Sequence, residues 1–347
     1  LDELTRTTAS FAATDWRTER DALARECAAL SSDVERLLDH LRHFKQRHML
    51  RLTIADIEGE AAVMALSDEL SALADTILDV TLAAAAGESI PGFCIVGYGK
   101  LGGKELGYGS DLDIIFLHDE TCPLPVDRLA RIAQRVNTWL TSHTPAGVLY
   151  ETDLRLRPDG ASGLLVSSLA AFHEYQLTRA WTWEHQALTR ARFAAGDAAP
   201  GARFEAVRDE ILARPRDPRK VFEEIDAMRR KMRAESKSKS DDLKHVAGGV
   251  IDLEFCVQAL VLAYGPAHPA LRENKGNHTL LKRAAELGLV EPGIAVDAAN
   301  AYLAMRARTH EAALNDEDVV RLKPGELEAE REAVRRLRKR LFARAGP

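Results

Sequence analysis

Two aspartates, Asp111 and Asp113, stand one residue apart in GYGSDLDIIF, residues 107–116. The alternation around them is that of a strand, in which residues two apart point to one side, so both carboxylates share a face. Negative charges held that close repel unless something positive sits between them. A third acid, Asp153, falls in ETDLRLRP, residues 151–158, read as part of a second strand that begins near Val148. There the period of two sends Asp153, Arg155 and Arg157 to one face and Leu154 and Leu156 to the other. Ahead of the paired acids runs GYGKLGGKELGYGS, residues 97–110, which supplies Gly99, Lys100, Lys104, Gly109 and Ser110.

Carboxylates on neighbouring strands form a hard-oxygen pocket suited to Mg²⁺. Two such ions about 3.5–4 Å apart can clamp the attacking and leaving oxygens of a phosphoryl transfer. Glycines let the backbone bend close to a triphosphate, and exposed amides form an anion-binding nest. Lys100 or Lys104, with Arg155 and Arg157, would neutralise phosphate charge. Each part alone is ordinary: a D-x-D is often a solvated strand end, a glycine cluster a turn, an Arg-x-Arg a salt-bridged surface. Together, after a buried strand, they point to a nucleotide-phosphate site. The glycine run is read neither as a P-loop, since G-x-x-x-x-G-K-[ST] is missing, nor as carrying the G-x-G-x-x-G fingerprint of a dinucleotide-binding turn.

Other residues carry weaker signals. Ser110 caps either a phosphate or its own turn. Asp252 and Glu254, early in a helix after Gly248 and Gly249, either complement the helix dipole or support the nucleotide site. Trp181 and Trp183, beside Glu184 and His185, read as domain-packing groups rather than base-stacking ones. The histidines show no H-E-x-x-H spacing, and no Ser-His-Asp set suggests itself.

These residues need a scaffold, and the sequence outlines one. Residues 1–86 read as helical, rich in Ala, Leu, Glu and Arg with apolar residues three and four apart. Gly87, Pro91 and Gly92 break that texture, and Phe93–Val96 is a short buried strand. The strand DLDIIFLHD, a helix over roughly 125–141 and the strand carrying Asp153 follow, predicting a small mixed sheet with helical backing. Helices return from SSLAAFHEYQ onward, among them AWTWEHQALTRARFAA, PRKVFEEIDAMRRKMRAES, VIDLEFCVQALVLAY and NHTLLKRAAELGLV. In the tail ELEAEREAVRRLRKRLF, Leu327, Val334, Leu337 and Leu341 form a seam. The expected organisation is a helical region over 1–86 packing on the catalytic domain, a core over 87–170, and a helical domain over 171–347 with a flexible loop near 236–247. The fold class is α+β.

At 347 residues, two or three compact units are expected. The net charge of −6 argues against a non-specific nucleic-acid coat. No run of 18 apolar residues is present to span a membrane, and LDELTRTTAS lacks the features of a signal peptide. Cys27, Cys94, Cys122 and Cys256 are spaced like neither a zinc knuckle nor a disulfide framework, which favours a reducing, cytoplasmic setting. A chain opening at Leu1 is expected to be a piece of a longer protein.

A D-x-D after a Gly-Ser turn, with a third Asp on a later strand, resembles the nucleotidyltransferase superfamily to which DNA polymerase beta belongs. The blocks GYGKLGGKELGYGSDLDIIFLHD, TDLRLRPDGASGLLVSSLAAFHEYQ, AWTWEHQALTRAR and GGVIDLEFCVQ, in this order, narrow the resemblance to the glutamine synthetase adenylyltransferase family. GYGSDLD and AWTWEHQAL look like its carboxy-terminal, adenylylating copy. HVAGG at 245–249 differs from the Gly-Pro-Gly-Gly-like turn expected of many members, but both final glycines remain. The resemblance implies a polymerase-beta-like core followed by a helical bundle, with Asp111, Asp113 and Asp153 as catalytic, metal-binding carboxylates after the Gly109-Ser110 turn. It implies two Mg²⁺ ions and AMP transfer from ATP to a tyrosine hydroxyl of glutamine synthetase, releasing pyrophosphate. Asp153 would then be a candidate to assist deprotonation of the tyrosine. It also implies regulation of the full-length enzyme by a nitrogen-signalling protein and by glutamine; from charge and hydropathy, no nucleic-acid and no membrane partner is expected. Phosphorolytic removal of AMP from the modified tyrosine, and a non-catalytic module binding a nucleotide or signal protein, stand as alternatives.

Overall fold

The computed structural model describes residues 13–235 and 241–343. Within them the chain divides into two compact units, residues up to Tyr175 with Arg192–Glu205, and Gln176–Ala191 with the residues from Ala206 onward.

The first unit opens with α1 (Trp16–Ala29) and α2 (Val34–Ile57). Their N-cap carboxylates, Asp15 and Asp33, accept the N–H groups of Thr18 and Arg36 at 3.3 and 3.2 Å. Helix α3 (Val63–Ala86) buries Leu66, Leu70, Leu73 and Ile77 at helical spacing. It stops where Gly87 turns left-handed, φ +81°, and donates to the Ala83 carbonyl.

The sheet follows. Strand β1 (Phe93–Gly97) leads through the single turn α4 (Gly99–Gly102) to β2 (Leu112–His118). Next come α5 (Val126–Thr141), β3 (Thr152–Asp153), a 3₁₀ turn at Gly160–Ser162, β4 (Val166–Ser168), α6 (Leu169–Thr178), α7 (Thr182–Leu188) and β5 (Arg192–Gly196). Strand β2 runs antiparallel to β1 and parallel to both β3 and β4, while β5 adds antiparallel on the other side of β1. Leu112, Ile114 and Phe116 of β2 join Phe93, Ile95 and the inner faces of α2, α3 and α5 in one core. Each such buried aliphatic side chain contributes about 1.5–3 kcal/mol. The alternate residues of β2, Asp113 among them, therefore face the other side of the sheet.

In the second unit, α8 (Ala198–Ala213) contributes its latter part, followed by α9 (Pro218–Glu235), α10 (Val250–Tyr264), α11 (Pro269–Arg272), α12 (Asn277–Glu286), α13 (Pro292–Leu314) and α14 (Glu328–Phe342). Helices α9, α10, α12, α13 and α14 share a core of their own. Val334, Leu337 and Leu341 form the inner seam of α14, whereas Leu327 precedes the helix at φ +52°. The arrangement is α+β: a small mixed sheet flanked by helices and followed in sequence by a helical bundle, consistent with a polymerase-beta-like nucleotidyltransferase fold. No described helix is long and apolar enough to cross a membrane.

Several local expectations are corrected. AWTWEHQALTRARFAA is not one helix: it is helical over Thr182–Leu188, and Arg192–Gly196 pairs with β1. Its Ala- and Arg-rich composition favours helix, but the open edge of β1 supplies backbone partners that override propensity. VLYETDLRLRP keeps only Thr152 and Asp153 as strand. Arg157 instead donates to the carbonyls of Leu154, Ala161 and Gly163, folding the chain into a turn, so Arg155 and Arg157 share no strand face. GYGKLG has the G-x-G-x-x-G spacing, yet antiparallel β1 and β2 joined through a one-turn helix are not the βαβ unit of a dinucleotide site.

Trp181 and Trp183 do not pack inward; they are 72% and 40% exposed. Asp252 is buried, accepting from Arg229, Arg233 and the Gly248 N–H at 2.7, 2.6 and 2.8 Å, and Glu254 pairs with Arg190. Both acids thus serve packing of the helical unit. Of the expected loop near 236–247, residues 236–240 lie outside the described residues. The rest is held: Leu243 is buried, and its N–H donates to the Val320 carbonyl at 2.9 Å.

Candidate active site

The first unit gathers the acids at one end of β2. In the parallel pairing of β2 with β3, Leu112 is the partner of Thr152 and Asp113 the partner of Asp153. Leu112 enters the core, and the Thr152 hydroxyl donates to Asn137 Oδ1 on α5 at 2.6 Å. That fixes which face is inward, and it places Asp113 and Asp153 together on the opposite face. Asp111, just before β2, is exposed, and Asp113 is half-buried.

The chain itself supplies positive charge to these acids. Arg155 Nε lies 3.0 and 2.9 Å from the two Asp153 oxygens, its NH2 also donates to Oδ2, and its backbone N–H donates to Oδ1 at 2.8 Å. These bonds hold the Asp153 carboxyl below its usual range, although partial burial pushes the other way. The same bonds hold the Arg155 guanidinium above its usual range, and the charges of Asp113 and Asp111 add to the effect. The side chain of Arg155 is 78% exposed and that of Asp153 18%.

The glycine turn abuts this cluster. Gly99 has φ +56°, and a Cβ there would collide with the Asp113 carboxylate, so both backbone and space require glycine. A Cβ at Gly109 would meet no protein atom within 4 Å. Ser110 caps its own turn, accepting the Gly107 N–H at 3.0 Å. Lys100 lies half-buried on α4, and Lys104 is exposed at φ +54°. Lys104 acts electrostatically on Asp75 of α3.

Among the described residues, no three His, Cys, Asp or Glu side chains converge closely enough to hold a metal ion. The donor chemistry nonetheless fits a hard divalent cation. Carboxylates on one face are counterbalanced by a guanidinium whose exposed side chain can leave without disturbing the core.

Sequence reasoning passed over the residues that anchor the glycine run. Arg192 on β5 pairs with Asp75 on α3 and donates to the Leu101 carbonyl of α4. The Tyr108 hydroxyl donates to Asp56 Oδ2 on α2 at 2.9 Å, and Leu106 N–H lies 3.4 Å from Ser71 Oγ on α3. Burial and the Asp56 bond push the Tyr108 phenol well above its usual range. A signal for Arg192 was present in the alternation of RARFA, read instead as helix.

A family model described as "Glutamate-ammonia ligase adenylyltransferase" matches residues 1–207. Relatives named bifunctional glutamine synthetase adenylyltransferase/adenylyl-removing enzyme include one from Chromobacterium violaceum, 49% identical over 326 residues, which cover 92% of this chain and 36% of the relative. Others are from Aromatoleum aromaticum, at 46% identity with 97% and 37% covered, and from Neisseria meningitidis, at 43% with 99% and 39%. The chain spans little more than a third of the length of these relatives. With that match across more than half its length, the chain belongs to the glutamate-ammonia ligase adenylyltransferase family.

Proposed function

We propose that this chain transfers AMP from ATP to a tyrosine hydroxyl of glutamine synthetase, releasing pyrophosphate. The observation that carries the reading is the pairing of Asp113 with Asp153 on one sheet face, with Asp111 adjacent and Arg155 as their counter-charge. Membership of the family, and the names of its relatives, support the choice of acceptor.

Asp111, Asp113 and Asp153 would hold Mg²⁺, in two ions, whose chemistry is to neutralise the triphosphate and favour the ionised tyrosine oxygen. The protein's own groups do the rest. Backbone amides around Gly99 and Gly109 approach the phosphates, where side chains would block them. Lys100 and Lys104 add positive charge along the same run. Arg155 exchanges Asp153 for a phosphate oxygen, and Arg157 holds the turn that presents Arg155. The tyrosine oxygen bonds to the α-phosphorus, and the bond to the bridging oxygen breaks with its electron pair leaving on pyrophosphate. The phenolic proton, bound with an ordinary pKa of about 10, passes to Asp153 once Arg155 has left it, or to water.

A second reading, phosphorolytic removal of AMP to give ADP, stays open because the relatives' name carries both activities. Labelled ATP, Mg²⁺ and unmodified glutamine synthetase should yield labelled protein and an equal amount of pyrophosphate. No label there, with ADP formed from adenylylated glutamine synthetase and phosphate, selects the second reading instead.

A further inference from the structure

We propose that Arg192 is a positioning residue for the nucleotide site, holding the glycine turn of α4 against Asp113. This rests on the reading of that turn as the phosphate-binding element. A helix of four residues is far too short to be stable by itself, so its orientation must come from outside contacts. Arg192 supplies one. Its NH1 and NH2 lie 2.8 and 2.9 Å from the two oxygens of Asp75 on α3, NH1 also donates to the Phe193 carbonyl at 2.9 Å, and Nε donates to the Leu101 carbonyl at 3.2 Å. The residue is 8% exposed, so these bonds compete little with water.

The contact passes along the turn to the acid. Leu101 is fully buried in the core shared with α3, while Gly99, two residues earlier, lies so close to the Asp113 carboxylate that no Cβ fits between them. Asp75, Arg192, Leu101, Gly99 and Asp113 thus form one line of contacts from α3 to the site. A shift of α4 along that line moves both the backbone amides offered to the phosphates and the wall against which Asp113 rests. Arg192 itself touches neither acid nor ligand. The arrangement needs arginine specifically: the far edge of its planar fork pairs with Asp75 while Nε remains for Leu101. Lysine could keep the charge pair, but its single ammonium cannot serve both partners in this geometry.

The test measures Mg–ATP binding by calorimetry, which needs no protein acceptor, together with melting temperature and the KM for ATP against kcat. R192K should stay folded, by circular dichroism, while its Kd for Mg–ATP rises about tenfold, the scale of one lost charge-assisted hydrogen bond. KM should rise in step, and kcat should fall severalfold because the wall against which Asp113 rests shifts with the turn. D75N, which loosens the guanidinium from α3, should also raise the Kd, and the double variant should bind no worse than R192K because both act through one contact. A lowered melting temperature with a wild-type Kd in either folded variant overturns the inference, leaving Arg192 a stabilising residue only. If the wild-type chain itself binds no Mg–ATP, the nucleotide-site reading fails, which is a different result from wild-type binding with unaltered variants.

Discussion

Asp113 and Asp153 are direct partners across the parallel pairing of β2 and β3, so two carboxylates separated by forty residues of chain share one patch of sheet. Nothing in packing asks for this, since side chains on the same face repel when both are charged. A counter-charge eases that repulsion, and Arg155 supplies one to Asp153 in this structure. Asp113→Asn keeps shape and removes charge. It should leave the melting temperature within a few degrees while AMP transfer falls by about a hundredfold or more, the scale of losing one preorganised electrostatic contact. Transfer of labelled AMP at the wild-type rate would falsify the metal role.

Gly99 offers a comparison with Gly87. Both are left-handed, at φ +56° and +81°, but a Cβ at Gly87 meets open space whereas one at Gly99 strikes the Asp113 carboxylate. Gly87→Ala should therefore cost only the backbone penalty of about 1–2 kcal/mol, with specific activity unchanged. Gly99→Ala should cost at least as much stability and also abolish most transfer, because the acid must move. Denaturant unfolding alongside rate measurement separates the two effects. Equal activity in both variants would remove Gly99 from the site.

The facing of Asp113 was legible in the sequence because the alternation LDIIF is local, whereas Asp111 lies just before the strand. The pairing partner of Asp113 was legible only in part. Asp153 was placed on the correct strand, but Arg155 and Arg157 were assigned to its face by extending a period that the chain abandons after two residues. What ends the strand is a tertiary matter, the guanidinium of Arg157 capturing three carbonyls up to six residues away. Strand β5 was hidden for a related reason. RARFAAG has helix-favouring composition and becomes a strand by pairing with β1, a hundred residues earlier. Arg192 could not be connected to the glycine turn until that pairing was known.

Arg155 should show opposite effects on two ligands. Its guanidinium occupies Asp153 in this structure, and under the proposed function it exchanges that acid for a phosphate once nucleotide arrives. Arg155→Ala should weaken ATP binding by about tenfold, the loss of a charge-assisted contact. Without nucleotide, the same variant should bind Mn²⁺ more tightly, because a competing cation has been removed. Spectroscopic Mn²⁺ titration reads the second effect directly. If Mn²⁺ affinity falls with ATP affinity, Arg155 does not compete for the acids.

Lys45 gives a pH signature for the element that leads into β3. From α2 its ammonium donates to the Leu149 carbonyl and lies 4.0 Å from the centre of the Tyr150 ring, three residues before Asp153. Burial of the amine, reinforced by the charge of Arg42, lowers its pKa from 10.5 to about 8. The unfolded chain then holds a proton that the folded chain has released across the interval from about pH 8 to 10.5. By linkage, stability due to this group rises with pH through that interval, and it is lost again as pH falls through 8. Lys45→Met retains an unbranched stem and has no charge to desolvate. The stability of the wild type relative to Lys45→Met should therefore increase between pH 7.5 and 10, measured as the difference in denaturant midpoints so that other titrating groups cancel. A difference independent of pH would mean that the Lys45 amine is solvated and does not anchor the Leu149–Tyr150 segment through a buried contact.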